Sequence, residues 1–278
     1  MFSLTKTFAV LAAVAATSSA YITGYDDKAE SICGADQAKG AVCFKDTDPI
    51  KYKSGQAVAR LWLKDDYFCT GWLIGSEGHL ITNHHCIADA AEAKVVKVEL
   101  GAECTKCDDP ANNQQLKCPG VQVANSTTLV ITDAVLDFSL VKVDVTDSAA
   151  LVAKYGYLQA RDGPAVLDEG IYIVGHPGIK PKRFALLNDD GKPAKITNTS
   201  TPSSCDEADT YGYNVDTEGG SSGSPIVGVS DNKVVALHNC GGCTATGGQN
   251  TGNKLVKIVA LLKEKKLLPK DAVAGGAC

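Results

Sequence analysis

Ser222 lies in the run Thr217-Glu218-Gly219-Gly220-Ser221-Ser222-Gly223-Ser224-Pro225, where every position from 219 to 224 is glycine or serine. Residues this small permit a tight turn that lifts one hydroxyl clear of the chain. The glycine two places before Ser222 lets the backbone N–H groups of Gly220 and Ser222 converge on one point with no side chain between them. Such a hydroxyl becomes a nucleophile when a base takes its proton and an acid orients the base. Upstream the chain supplies Thr82-Asn83-His84-His85-Cys86 and Leu136-Asp137-Phe138-Ser139-Leu140. The fold must therefore gather positions 85, 137 and 222 from segments 52 and 85 residues apart.

Short strands fill the space between these motifs. Ala57 to Leu63, Thr70 to Ile74, His79 to Thr82 and Val95 to Leu100 are brief apolar or alternating runs, with Gly75-Ser76-Glu77-Gly78 as a turn and a small helical turn after Cys86. The stretch from Gly101 to Gln122, with three cysteines and two consecutive asparagines, reads as a long stapled loop. Strands resume at Thr128 to Thr132 and Leu136 to Val143, which places Asp137 inside an apolar strand. In the second half, strands are expected at Ile171 to Val174, Arg183 to Leu187, Tyr213 to Val215, Pro225 to Val229 and Lys233 to His238. Leu255, Ile258, Val259 and Leu262 then recur at helical spacing within Lys254 to Lys266, and the tail from 267 to 278 reads as loose.

Residues 1–20 have the make-up of a secretory signal: Lys6, an apolar run from Phe8 to Ala16, and Ser18-Ser19-Ala20 where a signal peptidase needs small residues. That run is shorter than the roughly 20 apolar residues a membrane span requires. Residues 21–278 read as one domain, since no repeat, Pro-rich or Ser-rich tract or long charge block interrupts them, with a short leader over 21–31 left open. A formal net charge of −5 gives no electrostatic footprint for nucleic acid or an anionic membrane. Eleven cysteines behind a secretory signal imply disulfides with one cysteine left over. Cys104-x-x-Cys107 and Cys240-x-x-Cys243, the latter beside His238, can also be read as zinc ligands, but 132 residues lie between the pairs and an oxidising compartment favours bridges. No metal or cofactor is expected. Asn125-Ser126-Thr127 and Asn198-Thr199-Ser200 are glycosylation sequons if the source is eukaryotic.

The order His, Asp, Ser is that of the chymotrypsin arrangement and not that of subtilisin or the α/β-hydrolases. With Cys69-Thr70-Gly71, His176-Pro177 followed by Lys182-Arg183, Leu237-His238 and Cys243-Thr244-Ala245-Thr246-Gly247, the chain resembles secreted serine endopeptidases of the chymotrypsin fold. It is most similar to the bacterial lysyl endopeptidase branch, over Ser31 to about Gly247. The resemblance implies an all-β molecule of two six-stranded antiparallel barrels with a C-terminal helix, acting as a monomer on proteins or peptides outside the cell. His85, which directly precedes Cys86, becomes the base rather than His84. Asp137 becomes the orienting acid and Ser222 the nucleophile, with the N–H groups of Gly220 and Ser222 as the oxyanion hole.

The family pattern also suggests Cys69–Cys86 and Cys33–Cys243 bridges, and Cys43 joined to Cys104, Cys107 or Cys118. Cys205–Cys240 is left open, and Cys278 is the candidate for the odd thiol. Ser221 replaces the aspartate by which trypsin-like zymogens bind a new N-terminus, and no Ile-Val-Gly-Gly start is present, so activation through that ion pair is excluded. Asp216, six residues before Ser222, occupies the place of the acid at the base of the S1 pocket, and an uncompensated carboxylate there would favour Lys or Arg at P1. His238 carries the alternative, a glutamyl-type enzyme selecting an acidic P1. A protease-like secreted binding protein or effector without turnover is the alternative from a different class.

Overall fold

The structure is a computed structural model that describes residues 31–275 apart from 189, 245 and 246. The expected signal over 1–20, the leader up to residue 30 and the odd Cys278 lie outside the described residues. The first half supplies β1 (Lys39–Gly40), β2 (Val58–Trp62), β3 (Phe68–Ile74), β4 (His79–Thr82), β5 (Lys97–Leu100), β6 (Val121–Ala124), β7 (Thr127–Asp133) and β8 (Phe138–Val143). Seven of these form one antiparallel sheet in the order β6-β5-β2-β3-β4-β8-β7. β6 and β7 are two halves of one segment broken at Asn125-Ser126. Because they pair at opposite ends of the sheet, the sheet curls into a barrel of six strands, one of them bent.

The second half supplies β9 (Ile171–Gly175), β10 (Arg183–Ala185), β11 (Ile196–Thr201), β12 (Thr210–Tyr213), β13 (Pro225–Gly228), β14 (Val234–Cys240), β15 (Cys243–Thr244), β16 (Gly247–Gly248) and β17 (Asn250–Lys254). Its main sheet runs β1-β10-β9-β13-β14-β17-β12-β11 and takes in β1 from the far end of the chain. The sheet has eight strands where six were expected. The excess comes from two-residue β1 and from the break between β10 and β11, across which only the Leu187–Pro193 and Gly170–Lys195 bridges continue the pairing. The two-barrel architecture stands, and both sheets are antiparallel throughout.

Strand alternation explains how one chain builds both interiors. Ile171 and Ile173 of β9 face the second barrel's core with Tyr213, Val215 and Ile226, while Tyr172 and Val174 face the core shared with the first barrel and the C-terminal helix. The helix Leu255–Lys265 buries Leu255, Ile258, Val259 and Leu262 as the spacing required. The segment after Lys266 is not loose up to residue 273. Ala272 and Val273 are buried in the shared core, and Ala160 N–H donates to the Ala272 carbonyl at 2.8 Å.

Five disulfides join Cys33–Cys243, Cys43–Cys107, Cys69–Cys86, Cys104–Cys118 and Cys205–Cys240. Cys104 and Cys107 thus belong to different bridges, as do Cys240 and Cys243, and none of the four offers a thiolate to zinc.

Between the barrels lies a buried polar cluster. Arg60 forks onto Glu99 at 2.8 and 3.0 Å, and Glu99 also accepts from Trp62 Nε1 and the Gly120 N–H. Lys182 is fully buried and its ammonium has no partner among the described residues. Burial pushes its pKa down to about 8, with Glu103 acting in the opposite direction. Below pH 8 the folded protein therefore carries a charge that the unfolded chain solvates far better, and this cost fades as pH rises from 8 to the ordinary lysine value. Lys182→Met is expected to raise unfolding stability by on the order of 3 kcal/mol at pH 6 and by much less at pH 10.5. Urea denaturation at the two pH values checks it, and an equal gain at both would contradict the assignment.

Candidate functional site

Pairing of β4 with β8 matches Thr82 to Ser139, so the residues just beyond β4 and just before β8 emerge at the same end of the first barrel. Those residues hold His85 and Asp137. After Thr82 the chain makes a helical turn in which Cys86 and Ile87 both donate to the Asn83 carbonyl, and the Cys69–Cys86 bridge ties this turn to β3. His84 points elsewhere, with Nδ1 2.7 Å from Thr132 Oγ1.

Asp137 is buried, yet it does not sit within a strand as its apolar neighbours suggested. It occupies the turn before β8 with φ of 41°, following a loop in which Asp133 accepts the N–H groups of Val135 and Leu136. From there its carboxylate accepts the His85 backbone N–H at 3.0 Å and faces His85 Nδ1 at 2.9 and 3.1 Å. Asn83 Nδ2 donates to the Asp137 carbonyl at 2.9 Å and fixes the turn from the other side. The His85 side chain remains 45 % exposed while that of Asp137 is 6 % exposed. A buried carboxylate therefore holds one ring nitrogen of a half-exposed histidine.

Ser222 reaches the same end from the second barrel. Its carbonyl accepts the Thr70 N–H of β3 at 2.9 Å, one residue from the cysteine bridged to the histidine turn, and Gly223 N–H donates to the His238 carbonyl of β14 at 2.9 Å. The turn requires its glycines. A Cβ at Gly223 would lie 2.1 Å from the Thr70 carbonyl oxygen, and at Gly220 (φ 94°) one would lie 2.9 Å from the His176 carbonyl oxygen. Ser221, which replaces the zymogen aspartate, is buried, and its Oγ accepts the Glu218 N–H at 3.2 Å.

The two residues expected to line S1, Asp216 and His238, are both buried. Asp216 is buried, and its carboxylate accepts the Cys33 N–H at 3.1 Å and the Gln37 N–H at 2.6 Å, so its charge is compensated by the chain's first described segment instead of standing bare at the base of S1. His238 is fully buried, with Nδ1 2.6 Å from Tyr213 Oη. Because Tyr213 Oη donates to the Thr251 carbonyl at 2.7 Å, it accepts from His238, which fixes the imidazole proton on Nδ1.

Several residues of the site gave little sign of themselves in the sequence. The Ser31 hydroxyl donates to Asn250 Oδ1 and accepts from the N–H groups of Gly242 and Cys243, while its carbonyl accepts from Asn250 Nδ2 and from Thr217. One small residue thus ties together the segment before Ser222, β17 and the Cys33–Cys243 bridge. The Thr70 hydroxyl donates to the Gly220 carbonyl at 2.8 Å and accepts the His176 N–H at 3.0 Å. The signal for Thr70 was its place beside Cys69. Ser31 was marked only as the start of the stretch that carries the resemblance.

Residues 69–237 match the family described as trypsin-like peptidase domain. The chain is similar to "Secreted RxLR effector protein 73" of Plasmopara viticola, 39% identical over 246 residues that cover 87% of this chain and 58% of that protein. It is also similar to "Uncharacterized protein y4fB" of Sinorhizobium fredii, 30% identical over 179 residues covering 62% of this chain and 25% of that one. The chain thus spans little over half of the first relative and a quarter of the second. Among solved structures, the active form of the Rv3671c protease from M. tuberculosis superposes with a TM-score of 0.55 at 16% identity, covering 99% of both chains. The HtrA-type protease AlgW with a tripeptide gives 0.54 at 14% identity, over 78% of this chain and 62% of that one. At these identities the structural likeness concerns the fold.

Proposed function

The chain belongs to the trypsin-like peptidase domain family, and from that membership we propose that it is a serine endopeptidase working through an acyl-enzyme, with Ser222, His85 and Asp137 as its triad. Ser222 Oγ attacks the scissile carbonyl as His85 Nε2 takes its proton. The N–H groups of Gly220 and Ser222 receive the oxyanion, and His85 returns the proton to the departing amine. Water then repeats the attack and frees the acid. The observation that carries the reading is the Asp137–His85 contact. A buried carboxylate is costly unless it is hydrogen-bonded, and here its bonds go to the backbone and ring of a half-exposed histidine.

P1 selection is the finer part of the proposal. The basic preference expected from Asp216 loses its physical basis once two backbone amides satisfy that carboxylate, so Asp216 is read as the anchor of the segment from Cys33 to Gln37. Cleavage-site profiling on a peptide library is expected to show Asp216→Asn lowering turnover of all substrates by a similar factor. A loss confined to Lys and Arg at P1 would restore the trypsin-like reading. Cleavage after Glu that disappears in His238→Ala would favour the glutamyl one.

Secretion is supported by the signal-like start, by five disulfides and by the printed name of the Plasmopara viticola relative. Asn125, exposed where β6 breaks from β7, and Asn198 on edge strand β11 are proposed as glycan acceptors on a eukaryotic secretory route. That relative's name also supports a second reading, a secreted effector that keeps the fold without turnover. A fluorophosphonate probe separates the two: covalent labelling of Ser222 supports the peptidase, and an unlabelled folded protein supports the inert effector.

A further inference from the structure

The peptide joining Gly219 to Gly220 is trans and planar, so the Gly219 carbonyl and the Gly220 N–H point in opposite directions. The carbonyl is committed, because it accepts the Gly178 N–H at 2.8 Å. The Gly220 N–H is thereby turned away from the Gly178 segment, and it can donate to an oxyanion only while that commitment lasts. The next carbonyl, that of Gly220, accepts from Thr70 Oγ1, and Ser221 N–H donates to the Glu218 carbonyl at 2.9 Å. With the Ser224 N–H donating to the Ser221 carbonyl at 2.9 Å, every peptide orientation from Glu218 to Ser222 is set by a named partner.

Gly178 is itself held in place. It lies in a short turn in which Ile179 N–H donates to the His176 carbonyl and Lys180 N–H to the Pro177 carbonyl, both at 3.1 Å. The Lys180 ammonium then reaches across to Glu218, 2.5 and 2.8 Å from its two carboxylate oxygens. Both side chains are mostly covered, 18 % and 24 % exposed, so solvent screens this pair less than one on the open surface. The turn from His176 to Lys180 and the turn from Glu218 to Ser221 are therefore joined by an ion pair at one end and the Gly178 bond at the other.

We propose that the Lys180–Glu218 ion pair is the clamp that keeps the oxyanion hole assembled, making Lys180 and Glu218 positioning residues for the reaction. The proposal rests on the peptidase reading. It gives the chain a device where trypsin-like zymogens use an aspartate in the position of Ser221 and a newly freed N-terminus: here the pair is internal and joins two turns directly.

Lys180→Met and Glu218→Gln are close in shape to the native residues and are expected to lower kcat on an amide substrate about 10-fold or more, with KM changed less than about 2-fold. That is a fraction of the roughly 10²- to 10³-fold seen when an oxyanion donor is removed outright. A peptide aldehyde, whose hemiacetal oxyanion needs the hole, should lose affinity by the same factor, while the matching product peptide binds as before. The exchanged pair Lys180→Glu with Glu218→Lys should recover most of the lost kcat, a rescue that a merely structural role in either turn would not produce. Wild-type kcat in Lys180→Met and Glu218→Gln, at unchanged melting temperature, would overturn the clamp and leave the peptidase reading intact. Absence of fluorophosphonate labelling in the wild type would remove the peptidase reading and the clamp with it.

Discussion

Replacing Ser222 or His85 with alanine is expected to lower kcat by about 10⁶-fold, and replacing both is expected to cost little more. The reason lies in the division of labour. Without the imidazole the hydroxyl keeps its proton, and without the hydroxyl the imidazole has nothing to activate, so either loss removes the same step. Neither substitution disturbs what holds the site. Ser222 is fastened through its carbonyl to the Thr70 N–H, and the histidine turn through the Asn83 carbonyl and the Cys69–Cys86 bridge, all of which alanine retains. Single-turnover kinetics on an activated ester gives the measurement. Losses that multiply in the double variant would mean that the two residues act independently and that the triad assignment is wrong.

How much of this was legible in the sequence depends on whether a residue's role is local. The β-turn at Gly75 to Gly78, the C-terminal helix and the strands that carry Ile171, Ile226 and Val234 follow from periodicity, because their partners only have to be apolar. β11 and β17 are not legible for the opposite reason. Asn198 and Asn250 give no strand signal, yet Asn250 is fully buried and satisfied by Ser31, Val215 and Thr217, contacts that exist only after folding. The helices Pro49–Gly55 and Ser148–Tyr155 are likewise faint in the sequence. Asp48 before Pro49 and Asp147 before Ser148 are N-caps in plain view, but the helices are too short to give a periodic apolar signal.

Among the site residues the same division holds. Ser222 and His85 announce themselves through their neighbours. The placement of Asp137 in a turn at positive φ was hidden by Leu136 and Phe138, which gave the pattern of a continuous strand. The surroundings of Asp216 are not legible because sequence spacing fixes where a carboxylate starts but not what it faces. Its partners, Cys33 and Gln37, lie 183 and 179 residues away.

Asp137→Asn is expected to lower kcat by on the order of 10⁴-fold while leaving the fold intact, through the tautomer of His85. The carboxylate accepts two N–H groups at once, the His85 backbone N–H and the ring Nδ1–H. An asparagine in the same place has one acceptor and one donor. If its oxygen keeps the backbone bond, its NH₂ faces Nδ1, which must then give up its proton and become the acceptor. The proton moves to Nε2, where a lone pair is needed to receive the proton of Ser222, and the base is lost without any change in geometry. The carboxylate's second contribution, stabilising the imidazolium that forms during attack, is lost as well. Activity should return partly as pH rises, because hydroxide can substitute for a missing base, while wild type gains nothing comparable. A pH–rate profile of Asp137→Asn against wild type, with near-UV circular dichroism to verify packing, checks both parts. A loss smaller than about tenfold would remove Asp137 from the triad in spite of its contact with His85.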